Sequence, residues 1–313
     1  MTLTELRYIV ALSQERHFGR AAERCFVSQP TLSVAVRKLE DELGVALFER
    51  NRNEIAPTAI GARIIAQART VLEESQVVTQ LAREGKNPLL GPLRLGAIYT
   101  IGPYLLPRLI GPLTRLAPEM PLMIEENYTA VLAERLRQGA LDIVILSLPF
   151  QHPQIRTWAL YDEPFVVITP PLHPWRERDA IGAQDLADED VLLLGEGHCF
   201  RNQVIEACPD CIQDNSQGHR LRGFEGTSLE TLRQMVASGL GVSVLPLTAA
   251  LSSPLTDSLL RVKPFQGQPP QRRVALAWRR SFPRQAAIDI LRQAIRNAEL
   301  PGVTYLDETM GPA

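Results

Sequence analysis

The stretch from Gly197-His198-Cys199-Phe200 to Cys208-Pro209-Asp210-Cys211 concentrates the reactive side chains of this chain. Three of its four cysteines fall within 13 residues, and one directly follows a histidine. Three chemistries fit such a cluster. As a zinc site, His198, Cys199, Cys208 and Cys211 would supply four ligands. His198 and Cys199 are adjacent, however, so their side chains diverge on a strand or helix, and only Cys208 and Cys211 have ordinary ligand spacing. As structural thiols, the cysteines would be small apolar residues in a core. As a redox pair, Cys199 would open a helix over about 200–208, where backbone amides favour the thiolate. A thiolate that attacks hydrogen peroxide becomes a sulfenic acid, which condenses with a second thiol. On a helix, Cys199 and Cys208 would stand roughly 13 Å apart, whereas a disulfide needs Cα atoms within about 7 Å. Joining these two would require local remodelling.

The elements that position this segment come from the rest of the chain. Its 313 residues, 45% of them apolar, suffice for two or three domains with real cores. A net charge of −2 gives no general support for nucleic-acid binding, so a DNA interface has to rest on local charge and motif. Met1-Thr2-Leu3-Thr4-Glu5 lacks the basic and apolar regions of a signal peptide, and no apolar run reaches the roughly 18 residues of a membrane span. A cytoplasmic protein in a reducing compartment, without a membrane partner, is expected. Gly239 and Gly241 are too few for a phosphate-cradling loop, and no cofactor is expected.

Proline marks the main boundary. Only Pro30 and Pro57 precede residue 88, and the other 22 of the 24 prolines lie at or after Pro88. The first part is expected to be mostly helical and the second cut into short elements, with the joint at Gly85-Lys86-Asn87-Pro88. In the first 58 residues, Thr4 is expected to cap a helix with an inner face of Leu6, Ile9, Val10 and Ser13. A second helix, about 19–26, would bury Ala21, Ala22 and Cys25. Ser28 would cap a third, with Pro30 in its first turn, where a missing N–H costs nothing. Leu32, Val36 and Leu39 point inward, which leaves Gln29, Thr31, Ser33 and Arg37 outward to reach base edges in a major groove. From Arg16 to Lys38 there are five basic residues and one acidic one. The run Leu47 to Ala56 reads as a two-stranded wing around Asn51-Arg52-Asn53, with Arg50 and Arg52 able to reach a minor groove or backbone. A small helical domain with a solvated basic face is the plainer alternative.

From Ala59 to Gly85 there is no proline, and Ile64, Ala68, Val71, Ser75, Val78 and Ala82 alternate in steps of four and three. That is the period of a two-stranded coiled coil; a helix packed on its own domain is the alternative. Beyond the joint, a β-α-β-α-β unit runs through strands at 93–98, 122–126 and 142–146, and it places Thr100 and Thr129 just past two strand ends. Thr129 could also cap the helix that follows. A second unit from about Pro164 holds strands at 165–169, 191–194, 221–224 and 242–245, with Ser228 capping a helix at 229–238. The chain then returns to the first unit through 273–278 and a last helix. Two crossings give a hinged pair of lobes with a cleft between them.

The run His17-Phe18-Gly19-Arg20-Ala21-Ala22, Val27-Ser28-Gln29-Pro30-Thr31-Leu32-Ser33, Leu39-Glu40, Leu43-Gly44 and Leu47-Phe48-Glu49-Arg50 resembles the amino-terminal signature of LysR-type transcriptional regulators. The resemblance extends over essentially the whole chain. It implies an α+β multidomain protein: a winged helix-turn-helix DNA-binding domain (1–58), a linker and dimerisation helix (59–87), and a two-lobed regulatory domain like a periplasmic binding protein (88–313). Lobe I would be about 88–163 and 267–300, and lobe II about 164–266.

Gly-His-Cys followed by a cysteine nine positions on is similar to the sensing loop of the peroxide-responsive members of that family. By that resemblance Cys199 is the peroxidatic cysteine and Cys208 the resolving one, with Cys211 a possible competitor. Thr100, Thr129, His198 and Arg272 match pocket residues that orient peroxide, with Arg273 adjacent to the last. Ser28, Gln29, Pro30, Thr31, Ser33, Arg37, Arg50 and Arg52 would face DNA. The partners implied are double-stranded promoter DNA with pseudo-palindromic sites, hydrogen peroxide as signal, RNA polymerase, and further copies of the chain in a homotetramer. The same-fold rival is a regulator that binds a small anionic metabolite between the lobes. The rival of another class is a thiol peroxidase, for which a DNA-binding domain would be superfluous.

Overall fold

A computed structural model describes residues 1–51, 54–84, 88–209, 225–252 and 259–306. The chain folds as two compact units, Met1–Lys86 and Asn87–Ala313. No described helix is long and apolar enough to cross a membrane.

The first unit opens with α1 (Leu3–Glu15), and Thr2, not Thr4, is its cap. The reason is reciprocal spacing: the Thr2 hydroxyl accepts from the Glu5 amide, and the Glu5 carboxylate accepts from the Thr2 amide at 2.7 Å. Thr4 is already inside the first turn. The buried face is Leu6, Ile9 and Leu12, so Leu12 takes the place expected for Ser13, which is half-buried with Val10. Next, α2 (Phe18–Arg24) is capped by the His17 ring and buries Ala21 and Ala22, while Cys25 is only partly covered. Ser28 caps α3 (Gln29–Leu43) by accepting from the Thr31 amide at 3.3 Å, and Leu32, Val36 and Leu39 are buried.

The hairpin β1 (Phe48–Asn51) and β2 (Glu54–Pro57) forms the wing. A Glu40 carboxylate oxygen accepts from the amides of Leu47 and Phe48, which fastens the wing to the end of α3. The helix α4 (Ala59–Glu84) buries Ile65 and Ala68 against this domain, whereas Val71 and Val78 farther along are exposed. The expected stripe is therefore satisfied by its own domain at the start and open farther on; Ala82 lies outside the described side chains.

In the second unit, β3 (Leu93–Ile98), α5 (Gly102–Leu116), β4 (Leu122–Asn127), α6 (Thr129–Arg137) and β5 (Ile143–Leu148) form the first winding, with β3 parallel to both β4 and β5. The long strand β6 (Ile155–Thr169) leads out of it. The second lobe holds β7 (Val191–Leu194), α7 (Cys199–Ala207), β8 (Glu225–Gly226), α8 (Leu229–Ala237), β9 (Val242–Pro246), α9 (Leu247–Ala250) and β10 (Arg261–Pro264). The chain returns through β11 (Gln271–Arg279) and α10 (Gln285–Arg296) and ends its described part at β12 (Thr304–Tyr305). Ser228 caps α8 as expected, accepting from the Thr231 amide at 3.1 Å. The strand expected at 221–224 lies outside the described residues.

The sheet order is β4-β3-β5-β11-β6-β9-β7-β8, with β10 and β12 also on β6. Two apolar cores flank it. One gathers Leu95, Leu105, Ile145, Leu276 and Ile288; the other gathers Phe165, Leu193, Phe200, Val204, Leu232 and Val244. These are the two lobes. They meet along β6, which pairs with β11 over its first part and with β9 and β10 over its last.

Candidate functional site

Strand ends converge where the two lobes face each other, as expected for a doubly wound sheet. Tyr99 and Thr100 follow β3, Tyr128 and Thr129 follow β4, and Gly197-His198-Cys199 lead from β7 into α7. Together with Ile98 and Asn127 they line a small cavity, with about 10 Å³ of space for the centre of a water-sized molecule. That is about the room a single water needs, far short of a metabolite. Gly197 has φ +94, and a Cβ there would sit 3.2 Å from the Tyr128 ring, so glycine lets the loop close against that side chain.

Cys199 is the first residue of α7, half-buried, and packs against the core of lobe I although its helix belongs to lobe II. His198 is 6% exposed. Burial holds its imidazole below the ordinary histidine pKa, while a hydrogen bond with the Thr227 backbone works in the opposite direction. The Tyr128 ring stands edge-on to it at 4.8 Å, with Tyr99 beyond. Among the described residues, His198 Nε2 and Thr129 Oγ1 are buried without a hydrogen-bond partner, and both residues line the cavity. Such orphans are rare in native proteins, and a water or other small polar molecule in the cavity would satisfy both. Thr129 was expected also to cap the helix after it; the structure corrects this, since Thr129 is the first helical residue and no side chain caps α6.

Arg272, expected in the pocket, does not itself line the cavity but anchors Thr100, which does. It is fully buried on β11 and donates from Nε to Glu163 at 2.8 Å, from Nη1 to the Thr100 hydroxyl at 2.9 Å and from Nη2 to the Thr100 carbonyl at 2.8 Å. Its guanidinium also lies 5.6 Å from the centre of the Phe200 ring. The other Glu163 oxygen accepts from the amide and hydroxyl of Thr248 in lobe II. Neighbouring Arg273 points the opposite way, to Asp162 at 2.7 Å on the open side of the sheet. Sequence reasoning missed Glu163, although the doublets Asp162-Glu163 and Arg272-Arg273 sit opposite each other in the β6–β11 register.

Cys208 follows α7 and is 1% exposed within the core of lobe II. Between the two cysteines, Gln203 reaches across to lobe I, donating from Nε2 to the Ser147 hydroxyl at 2.8 Å. Cys25, Cys199 and Cys208 are not joined in disulfides. Among the described residues no group of three His, Cys, Asp or Glu side chains is arranged to hold a metal; Cys211, the fourth member of the zinc reading, lies outside them.

In the first unit, Ser28, Gln29, Pro30, Thr31 and Arg37 are exposed at the front and along the outer face of α3, and Ser33 is half-buried among them. The Arg50 side chain and Arg52 lie outside the described residues.

A winged helix-turn-helix joined by a long helix to a two-lobed sensor fold defines a transcriptional regulator that answers a small-molecule signal. The chain belongs to the LysR family: residues 3–62 match the bacterial regulatory helix-turn-helix protein of the lysR family, and residues 86–299 match the LysR substrate binding domain. It is 40% identical over 296 residues, 95% of either chain, to the DNA-binding transcriptional dual regulator OxyR of Escherichia coli. A full-length cysteine-to-aspartate variant of OxyR from Pseudomonas aeruginosa is similar in structure, with a TM-score of 0.78 at 53% identity over 98% of both chains. A cysteine variant of OxyR from Corynebacterium glutamicum with hydrogen peroxide bound gives a TM-score of 0.63 at 32% identity, covering 95% of this chain and 92% of its own.

Proposed function

We propose that this chain is a peroxide-sensing transcriptional regulator that binds promoter DNA and is switched by a disulfide between Cys199 and Cys208. The observation that carries the reading is the division of the two thiols. Cys199 opens on a cavity of one small molecule against lobe I, while Cys208 is buried in the core of lobe II.

The Cys199 thiolate attacks one oxygen of hydrogen peroxide: an S–O bond forms, the O–O bond breaks, and the departing hydroxide takes a proton to become water. Cys208 sulfur then attacks the sulfenic acid, forming the S–S bond and releasing a second water. The protein loses two electrons and the peroxide gains them. Thr100, held by Arg272, and Thr129 and His198, with buried unpaired atoms, hold and orient the peroxide. The nine-residue α7 keeps the thiols apart, so the second step unwinds it. The released segment changes contacts between regulatory lobes of a dimer of dimers on pseudo-palindromic DNA, and thereby contact with RNA polymerase, in the cytoplasm.

The test is intact-mass and peptide mapping before and after one equivalent of peroxide. A single intramolecular Cys199–Cys208 bond is expected. A bond from Cys199 to Cys211 would reassign the resolving thiol, and unreacted thiols would remove the peroxide reading.

A further inference from the structure

We propose that Phe26 is a DNA-contacting residue, its ring lying on the deoxyribose rim of the groove that α3 enters. Phe26 is 95% exposed, yet it is a large aromatic in the turn between α2 and α3. Its backbone is left-handed, with φ +57, where a bulky L-residue is strained and glycine or asparagine is not. The hydrogen bonds around it show why the turn needs that conformation. The Val27 amide donates to the Ala22 carbonyl and the Phe26 amide to the Glu23 carbonyl, both at 3.0 Å, which is the Schellman arrangement with Phe26 in the glycine position. The ring thus adds strain without contributing core packing: it is absent from the apolar core that Phe18, Cys25 and Val27 help to cover.

Position supplies the partner. Phe26 lies two residues before Ser28, the cap of α3. A recognition helix enters the groove by its N-terminus. The chain leading into that terminus must pass the groove's edge, where sugars present an apolar face between phosphates. An exposed ring there gains apolar contact and adds no charge. The inference rests on the DNA-binding part of the proposed function and is independent of the redox part.

The test uses the full-length protein and a duplex that it selects from a random-sequence pool, with a scrambled duplex of equal length beside it. Phe26→Gly and Phe26→Asn are expected to melt no lower than the parent and to bind both duplexes about tenfold more weakly, the effect of losing roughly 50 Å² of buried ring. Phe26→Tyr should keep the affinity. The slope of log affinity against log salt should not change, because no phosphate contact of a cation is lost. Equal affinity of Phe26→Gly and parent overturns the proposal, as does a lower melting temperature, which would give the ring a packing role. A loss confined to the selected duplex overturns the sugar contact in favour of a base. If the parent itself selects no duplex, the DNA-binding reading fails and this inference with it.

Discussion

Arg272 grips Thr100 twice, through the hydroxyl oxygen and through the carbonyl. A guanidinium cannot accept a hydrogen bond. The Thr100 hydroxyl proton is therefore turned away from Arg272, on the residue that lines the cavity beside Cys199. Thr100→Val removes that acceptor and leaves a buried N–H unsatisfied. It should cost about 1–3 kcal/mol in urea unfolding and slow thiol oxidation by peroxide roughly tenfold or more, read by stopped-flow. Thr100→Ser should restore both.

Glu163 and Arg272 are both fully buried, so each depends on the other. Arg272→Ala strands a carboxylate in the interior and should destabilise the regulatory unit by about 3–5 kcal/mol. Adding Glu163→Gln to it should recover most of that loss in the same unfolding measurement. Recovery of the peroxide rate is not expected, since Thr100 stays unanchored. A double variant no more stable than the single one would refute the pairing as the source of the loss.

Much of this arrangement was legible in the chain itself. The recognition helix is marked by Ser28 and Pro30, the wing by its apolar runs around a polar turn, and the joint between the two units by the onset of prolines at Pro88. Local signals of this kind survive because caps and turns depend on neighbours only a few residues away. Helix edges are harder to place: Thr4 is the cap read from the sequence, and only the reach of Glu5 back to the Thr2 amide puts it two residues earlier. Glu163 illustrates what could not be read. Its partner is 109 residues away, and only strand register reveals that Arg272 faces it while Arg273 faces Asp162. Burial side likewise depends on tertiary packing, which is why Cys199 and Cys208 belong to opposite cores without any local mark of it.

Cys199→Ser should abolish the fast reaction with peroxide, because no other described cysteine lines the cavity. Cys208→Ser should instead accumulate a sulfenic acid at Cys199, trapped by dimedone and located by mass mapping. An intramolecular disulfide in that variant would show that Cys211 can resolve it.

Burial lowers the pKa of His198 in the folded chain, so the unfolded chain binds its proton first as pH falls. The stability linked to this group is complete above the unfolded pKa of about 6.5 and is lost as pH drops through the lower folded value. His198→Gln should flatten the fall in melting temperature as pH drops below about 6.5. An unchanged slope would mean that other groups set the acid limb.

Arg37 is exposed on α3, one turn past Ser33. Arg37→Ala should leave peroxide oxidation untouched and weaken DNA binding. If it reads a base edge, the loss should be about 1–3 kcal/mol with relaxed sequence preference; if it holds a phosphate, the salt slope should fall by about one. Unaltered affinity would remove it from the interface.

The strand β6 belongs to both lobes, hydrogen-bonded along one stretch to β11 and along the next to β9 and β10. The two stretches abut between Pro164 and Phe165, so one unbroken backbone carries any load passed from lobe to lobe. The helix α7 adds a second tie, since Gln203 donates from Nε2 to the Ser147 hydroxyl at 2.8 Å and to the Leu148 carbonyl at 3.4 Å, both in lobe I. In mechanical terms the two lobes share one continuous beam, and α7, which begins at Cys199, is a short strut laid across to lobe I. On the proposed disulfide mechanism, loss of that strut remakes the outer surface of the unit while the beam stays whole.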